Sequence, residues 1–407
     1  MIINKNEDLL SKLNLKEVKL NALLEITNAI NSNDEIEKLL KLYTFILQEQ
    51  LGFKKIILLL KSDQWQCLIK VNFKGKIEVD NTISDLLKFK DITIVESSKS
   101  DILTEFQTVI PVLRDESALA FLLLSTNVSN TQLEPSYFSF TQILTNIITV
   151  AIENKRLSKQ SLIKERISKD LEVASEMQKL LFPSDLPSNR MMDVSAKYIS
   201  RHAIGGDYYD FIPLGDEEYI ICIADVSGKG ISAALLMANF QATIRTLFKY
   251  QRFEMAFLIE ELNKKIIHRT NGEKFITFFI AHYNAHTRKM KYVNAGHNHP
   301  ILLNRKSTIM LGEGCIGLGM LDEIPSIKVG EIVLEPNTTF VLYTDGIVEL
   351  ENSTGESFGI ERLIDNIRSY SKLAMEDMNN IILSKLDEWR ENLNYADDTA
   401  ILSCKFF

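Results

Sequence analysis

The sequence predicts an α+β protein in which an N-terminal and a C-terminal domain are joined by a long helix. The chain has 407 residues, which is more than one hydrophobic core ordinarily serves. Apolar residues at helical spacing give way to short β-rich runs after Gly52, and strand-like runs beyond residue 190 end in aspartate. We therefore expect a domain with helices and an antiparallel sheet at 1–150, a helical linker at 151–183 and a second domain at 184–407.

The composition is that of a soluble globular protein, with 45% hydrophobic and 25% charged residues. The formal net charge of −8 repels polyanions on average, so nucleic acid is not expected as a partner. No apolar run approaches the roughly 18 residues of a membrane-spanning helix, and the N-terminus lacks the apolar region of a signal peptide. We therefore expect a cytoplasmic protein without membrane contact, whose four cysteines are reduced because no C-x-x-C pair is present.

The N-terminal domain begins with two helical runs, residues 9–30 and 35–51. The predicted strands that follow are Lys54–Lys61, Gln66–Phe73, Asp91–Ser97, Thr108–Leu113 and Leu119–Ser125. A long helix from Glu134 to Leu181 comes next. This order of helices, a five-stranded antiparallel sheet and an exit helix resembles a GAF domain over residues 20–157. The resemblance implies a domain that senses a small ligand or dimerises, and the sequence leaves both open.

The exit helix carries apolar residues at heptad-like spacing. They are Ile163, Ile167, Ala174, Met177 and Leu181, with Asp170 interrupting them. Such an interruption lets two registers lie close in energy, as a signal-carrying helix requires. The pattern predicts a coiled-coil linker in a parallel homodimer; the alternative is an amphipathic helix that lies on its own domain. Pro183 and Pro187 mark the end of the linker.

Acidic residues recur where the apolar runs of the C-terminal half stop. Asp225 follows the run 219–224, Asp345 follows 339–343, Asp397 and Asp398 precede 400–405, and Asp207 lies in Gly205–Phe211. An Asp-Gly pair at a single strand end is usually a turn, so the repetition is what indicates a site. With no histidine or cysteine beside them, these carboxylates form a hard oxygen set that suits Mg²⁺ or Mn²⁺ better than zinc or copper.

The motifs G-G-D-Y-Y-D, A-D-V-S-G-K-G, N-A-G-H-N, Y-T-D-G and D-D-T follow one another along the chain. Their order resembles the bacterial, stage II sporulation protein E type of the protein phosphatase 2C (PPM) family over residues 185–407. The lead-in 172–183 looks like the linker that joins sensors to this phosphatase in sigma-factor stress-response regulators. The resemblance implies an α-β-β-α sandwich of two antiparallel sheets, with a metal site at one edge between them.

Carried over position by position, the resemblance implies a catalytic and metal-binding set for two Mn²⁺ or Mg²⁺ ions. The set is Asp207, Asp225, the carbonyl of Val226, Asp345 and Asp397. Asp398 is the less expected ligand of its doublet. The general acid stays unassigned, because Ser227 stands where eukaryotic relatives have a histidine, and His297 is favoured as a loop residue that hydrogen-bonds the backbone.

The function implied is a regulated serine/threonine phosphatase that uses water activated by two metal ions. By resemblance, its substrate is a phosphorylated regulatory protein, an anti-sigma-factor antagonist. One alternative is a non-catalytic signalling scaffold that binds partners through the same domains, and the intact acid set argues against it. Another is a metal-dependent phosphodiesterase or nuclease, which the negative charge of the chain and the order of the motifs disfavour.

Overall fold

A computed structural model of the chain describes residues 2–95, 102–115, 117–126, 135–250, 254–305 and 307–407. The chain divides into two compact units, Met1–Arg166 and Ile167–Phe407. Within the described ranges, no helix combines the length and the apolar character that crossing a bilayer requires.

Within its described residues, the first unit contains four α-helices: two precede its strands in the sequence, one lies between the second and third strands, and one follows the last strand. They are α1 (Ile2–Asn31), α2 (Ile36–Phe45), α3 (Val79–Leu86) and α4 (Pro135–Lys179), the last of which continues into the second unit. Pro135 fits the first turn of α4 because that position has no helical hydrogen bond for its missing amide proton. The predicted helices are confirmed, whereas the short α3 was not foreseen.

The first unit has a five-stranded antiparallel sheet, as predicted. Its strands are β1 (Lys55–Lys61), β2 (Trp65–Val71), β3 (Thr93–Ile94), β4 (Thr108–Arg114) and β5 (Ser117–Ser125), in the order β2-β1-β5-β4-β3. The strand predicted over Asp91–Ser97 is shorter, and its residues 96 and 97 lie outside the described ranges. The prediction that this domain belongs to the GAF family stays a prediction.

Both faces of this sheet are covered by buried side chains. Alternate residues of β1 divide between the two faces, with Ile56 and Leu58 in the cluster that includes α1, α2 and α4. Ile57 and Leu59 lie in the opposite cluster, together with Phe121. Since β1 is buried on both sides, its sequence is a nearly continuous apolar run and not an alternating one.

The second unit contains two further sheets. The first has the order β13-β10-β9-β8-β7, with β14 also pairing β10, and the second has the order β12-β11-β15-β16-β6. The strands are β6 (Met192–Ile199), β7 (Tyr208–Gly215), β8 (Glu218–Val226), β9 (Ile276–Asn284), β10 (Lys289–Ala295), β11 (Ile301–Leu303), β12 (Thr308–Met310), β13 (Gly314–Cys315), β14 (Gly330–Val333), β15 (Thr338–Tyr343) and β16 (Thr399–Phe406). The helices are α5 (Ile231–Tyr250), α6 (Met255–Thr270), α7 (Asp345–Val348), α8 (Ile360–Tyr370) and α9 (Met375–Arg390).

Three hydrophobic clusters arrange these elements in four layers. Ile221 of β8 and Phe340 of β15 belong to a cluster between the two sheets. Ile220 of β8 packs with α5 and α6 on the outer face of the first sheet, and Val341 of β15 packs with α8 and α9 on the outer face of the second. The second unit is therefore an α-β-β-α sandwich, and the predicted architecture of the C-terminal domain is confirmed.

The end of the linker helix differs from the prediction. Helix α4 ends at Lys179, so Leu181 is not a helical seam residue. Leu181 and Phe182 instead pack against the cluster beneath α5 and α6, and the Leu181 carbonyl accepts a hydrogen bond from Gln241. The predicted heptad seam is therefore wrong at Leu181, because this partly buried side chain packs against the sandwich and not along a helical seam.

Candidate active site

Four predicted site residues meet at one edge of the sandwich, which we call the acidic edge and define by Asp207, Asp225, Asp345 and Asp397. In the first sheet Tyr208 pairs with Ala224, so Asp207 and Asp225 lie at the same end of neighbouring strands. In the second sheet the Thr344 amide donates to the Ala400 carbonyl at 3.1 Å, which places Asp345 beside the start of β16, just after Asp397. Antiparallel pairing thus gathers residues that are far apart in sequence.

Asp207 and Asp225 are the most strongly desolvated acids of the edge. Asp207 is only 2% exposed, and its Oδ2 atom is buried without a hydrogen-bond partner. Burial and the neighbouring Asp225 raise the pKa of Asp207 well above its ordinary value, against a hydrogen bond with Thr344. Burial, followed by the charges of Asp345 and Asp397, raises the pKa of Asp225 to about 7. The two sheets are therefore close enough for their acids to repel one another.

Asp345 and Asp397 complete the edge from the second sheet. Burial raises the pKa of Asp345, and the charges of Glu349 and Asp397 add to that rise. Asp397 pairs with Lys229, whose Nζ atom lies 2.6 Å from its Oδ2 atom. This cation comes from the loop after β8, so the S-G-K-G turn supplies positive charge to an edge that is otherwise acidic.

Asp398 has a different task from its neighbour. Its Oδ1 atom accepts a hydrogen bond from the Arg201 amide at 2.9 Å, and its Oδ2 atom accepts one from the Gly206 amide at 2.7 Å. A Cβ atom on Gly205 would overlap this carboxylate and the Tyr198 hydroxyl. Asp398 therefore holds the loop that leads into Asp207, and the close approach explains why glycine is needed there.

The donor chemistry of the acidic edge fits a hard divalent cation. Its donors are carboxylates, one of them carries an orphaned buried oxygen, and the carbonyl of Val226 faces the adjacent Gly206 loop. Over the described parts of the chain, no three acidic, histidine or cysteine side chains are placed to hold an ion as their rotamers stand. Binding would therefore require these side chains to turn toward one another, which their mutual repulsion opposes without a cation.

His297 is buried inside the sandwich. It is 5% exposed, its Nδ1 atom lies 2.9 Å from the Thr277 hydroxyl, and its Nε2 atom lies 3.2 Å from the Tyr343 carbonyl. Burial lowers the pKa of His297 to about 4. The ring is therefore neutral at physiological pH, donating from Nε2 to the carbonyl and accepting the threonine hydroxyl at Nδ1. This geometry matches the loop-residue interpretation and disfavours His297 as a general acid.

Asp210, the second acid of the G-G-D-Y-Y-D motif, is not part of the acidic edge. It is fully buried and accepts two hydrogen bonds from Arg245, at 2.7 and 2.9 Å. The Tyr208 hydroxyl donates to the same carboxylate at 2.5 Å. Asp210 therefore fastens α5 to β7, and the buried Tyr208 packs beside it.

Sequence reasoning missed Gln178 and Lys229 as parts of the site. The Gln178 amide donates to the Gly205 carbonyl at 2.7 Å and accepts from the Gly205 amide at 3.1 Å. Gln178 is 27 positions away from its partner, and Lys229 is 168 positions away from Asp397. The spacing in the sequence gives no signal for such pairs, and the burial of Gln178 is apparent only from the structure.

Comparison with known proteins shows similarity to one family over most of the C-terminal unit. Residues 215–407 match the family model for stage II sporulation protein E (SpoIIE). On the basis of this match we refer to the C-terminal unit as the SpoIIE-type domain. Asp225, Asp345 and Asp397 of the SpoIIE-type domain lie within the matched range, and Asp207 lies just before it.

The SpoIIE-type domain is similar to three curated proteins. Phosphoserine phosphatase RsbU of Bacillus subtilis (strain 168) is 29% identical over 228 residues, which are 55% of this chain and 67% of the relative. Protein IcfG of Synechocystis is 24% identical over 260 residues, and phosphoserine phosphatase RsbP of B. subtilis is 22% identical over 242 residues. These two alignments cover 57% and 58% of this chain but only 41% and 57% of the relatives.

A solved structure agrees with the fold of the SpoIIE-type domain. The SiaA-PP2C domain of Pseudomonas aeruginosa superposes with a TM-score of 0.54 at 21% identity, covering 60% of this chain and 99% of that domain. This likeness confirms the prediction of a PP2C-like fold for the C-terminal unit. The prediction of the phosphatase class is confirmed by the family match and by the relatives named phosphoserine phosphatases. Which residues bind metal, and the limits of the N-terminal domain, stay predictions.

Proposed function

We propose that this protein is a regulated, metal-dependent serine/threonine phosphatase that dephosphorylates a regulatory protein. The observation that carries the proposal is the meeting of Asp207, Asp225, Asp345 and Asp397 at one edge of a SpoIIE-type domain. Nothing in this set is a nucleophile of the serine or cysteine type. Hydrolysis by activated water is the chemistry that such a carboxylate edge supports.

The acids and the Val226 carbonyl would hold two Mn²⁺ or Mg²⁺ ions, whose chemistry when bound is to activate water and neutralise phosphoryl oxygens. Asp398 keeps the Asp207 loop in place through the Arg201 and Gly206 amides. Lys229 is half-exposed beside Asp397, so its ammonium group is available to a substrate phosphate when Asp397 turns to a cation.

Two of the relatives are named phosphoserine phosphatases, which supports phosphoserine or phosphothreonine as the substrate group. By the same likeness we propose that the substrate is an anti-sigma-factor antagonist. This step depends on the relatives and not on the geometry, because an acidic edge recognises the phosphate and carries no sequence preference.

Regulation would act through the end of α4. Gln178 exchanges two hydrogen bonds with Gly205, and Gly205 is two residues before Asp207. Phe182, just beyond the helix, packs against Tyr198 and Tyr209 with ring centroids 4.9 and 4.8 Å apart. A change in the position of α4 would therefore shift the loop that carries Asp207. We propose that a homodimer formed by the N-terminal domain and the linker sets that position.

The test is phosphate release from a phosphoserine protein by the full chain, with and without Mn²⁺ or Mg²⁺. We expect metal-dependent activity that Asp225→Asn reduces by at least about 100-fold and that Asp322→Asn, at an exposed position, leaves unchanged. Activity that persists without metal, or equal activity of wild type and Asp225→Asn, would refute the proposal. Partner binding without turnover by the wild type would instead support the scaffold alternative.

A further inference from the structure

The His297 ring connects the two sheets of the sandwich. Thr277, whose hydroxyl meets Nδ1 at 2.9 Å, belongs to β9 in the first sheet. Tyr343, whose carbonyl meets Nε2 at 3.2 Å, is the last residue of β15 in the second sheet. One buried side chain therefore spans the layer between the sheets with a hydrogen bond at each end, which we call the His297 bridge.

Each end of the His297 bridge lies next to an acid of the acidic edge. Thr277 is directly opposite Asp225 in the register of β8 and β9. Tyr343 is two residues before Asp345, and the hydroxyl of the intervening Thr344 accepts a hydrogen bond from the Ala400 amide at 2.9 Å. The bridge thus joins the strand pair that positions one acid to the strand that positions another.

The bridge is itself held in a fixed place. The His297 amide donates to the Asn294 side chain at 2.8 Å, and the Asn294 side chain donates to the Leu311 carbonyl at 3.2 Å. Gly296 has a φ of +67°, and a Cβ atom there would lie 2.7 Å from the Gly317 amide nitrogen. The loop that carries His297 is therefore packed closely against the segment around β13, which leaves the ring little freedom to shift.

We propose that His297 is a positioning residue that fixes the separation of the two sheets at the acidic edge and so sets the affinity of the edge for divalent cations. The inference rests on the proposed function, because it assumes that Asp225 and Asp345 share bound cations. Repulsion of Asp225 by Asp345 and Asp397 would favour separation of the two sheets, and the bridge joins the sheets beside Asp225 and Asp345. Mutation of residues that support metal ligands without binding the metal typically lowers metal affinity by about 10–100-fold.

The experiment removes one hydrogen bond of the bridge without changing its shape. Thr277→Val replaces the hydroxyl by a methyl group, and Thr277→Ser is the matched control that keeps the hydroxyl. Mn²⁺ binding to the full chain is measured by isothermal titration calorimetry. We expect Mn²⁺ to bind about tenfold more weakly to Thr277→Val and within about twofold of wild type to Thr277→Ser.

Kinetics separate positioning from catalysis. If His297 positions the acids, Thr277→Val needs more Mn²⁺ but reaches a kcat close to wild type at saturation. Unchanged Mn²⁺ affinity with a lower kcat at every Mn²⁺ concentration would overturn the inference and favour a proton-transfer role for the ring. Thr338→Val, which removes a buried hydroxyl at the other end of β15, controls for stability alone and is expected to leave Mn²⁺ affinity unchanged.

The outcomes also separate this inference from the proposed function. Absence of Mn²⁺ and Mg²⁺ binding by the wild type would refute the metal site itself, and the inference with it. Binding by the wild type and equal binding by Thr277→Val would refute only the role of the bridge.

Discussion

At the scale of single residues, burial and neighbouring charges make ionisation of the carboxyl groups at the acidic edge unfavourable when no cation is bound. The pKa of Asp225 is about 7 because of burial first and the charges of Asp345 and Asp397 second, against an ordinary value near 3.8. In the folded, metal-free protein this side chain therefore holds its proton more tightly than in the unfolded chain. Folding and ionisation oppose each other at this position until a cation binds.

This leads to a prediction for the metal-free protein. A raised folded-state pKa gives stability that is present below about pH 4 and is lost as the pH rises through about 7, so at pH 8 the ionised Asp225 destabilises the fold. Asp225→Asn removes that charge. In the presence of a chelator we expect the variant to unfold at a higher temperature than wild type at pH 8, by an amount on the order of 2–4 kcal/mol in stability, and the difference to shrink at pH 5.

Thermal denaturation of the full chain at both pH values checks this expectation, with Asp322→Asn as the control. Added Mn²⁺ should raise the unfolding temperature of the wild type and not that of Asp225→Asn, because binding to the folded state stabilises it. If Asp225→Asn were less stable than wild type at pH 8 without metal, ionised Asp225 would not destabilise the fold, and the prediction would be wrong.

The same scale shows where sequence reasoning stops. Asp397 and Asp398 are neighbours of the same type, and the sequence favours Asp397 as the ligand only by resemblance. The structure gives Asp398 two backbone amide donors from a loop almost 200 positions earlier, and leaves Asp397 to Lys229. Hydrogen bonds to amides are a tertiary property, so identical side chains acquire different tasks that their local sequence does not encode.

At the scale of elements, the end of α4 is joined to the loop before β7 through one side chain. The buried Gln178 side-chain amide satisfies both the backbone N–H and the backbone carbonyl of Gly205. Gln178→Leu would leave the Gly205 amide and carbonyl buried without partners, which costs about 1–3 kcal/mol for each group. The loop that carries Asp207 should move to recover those hydrogen bonds.

We therefore expect Gln178→Leu to weaken Mn²⁺ binding by roughly tenfold and to lower phosphatase activity at limiting Mn²⁺. The measurement is a Mn²⁺ titration of activity and of heat of binding on the full chain. Glu176→Gln, at an exposed position of the same helix, is the control and should behave like wild type. Unchanged Mn²⁺ dependence in Gln178→Leu would separate α4 from the site.

Elements were predictable in proportion to the strength of their local pattern. The run that ends in Asp225 was recognisable as β8 because Ile220 to Ala224 are all buried apolar residues between polar flanks. Strands β13 and β14 were not recognisable, since two and four residues carry no periodicity and pair only because β10 is there to receive them. Leu181 was misassigned because a heptad position and a core contact look the same in sequence.

At the scale of the whole molecule, helix α4 carries a stripe of apolar side chains that are exposed in the described part of the chain. Ile163, Ile167 and Met177 are 51%, 54% and 57% exposed in the described chain, and they recur at heptad-like spacing around Asp170. Three large apolar side chains on one stripe of a charged helix are typical of a helix that pairs with a second copy. The predicted parallel homodimer is consistent with this exposure and stays a prediction.

Replacing Ile163 and Ile167 by glutamate tests it, because four like charges would face one another in a parallel pair of helices. We expect the wild-type chain to sediment as a dimer and the double variant as a monomer, while Glu172→Gln, on the opposite side of the heptad, stays dimeric. A monomeric wild type at micromolar concentration would contradict the prediction. Since Gln178 lies one residue after Met177 on the same helix, a monomeric variant should also need more Mn²⁺ for activity if pairing of the helices sets the position of the Asp207 loop.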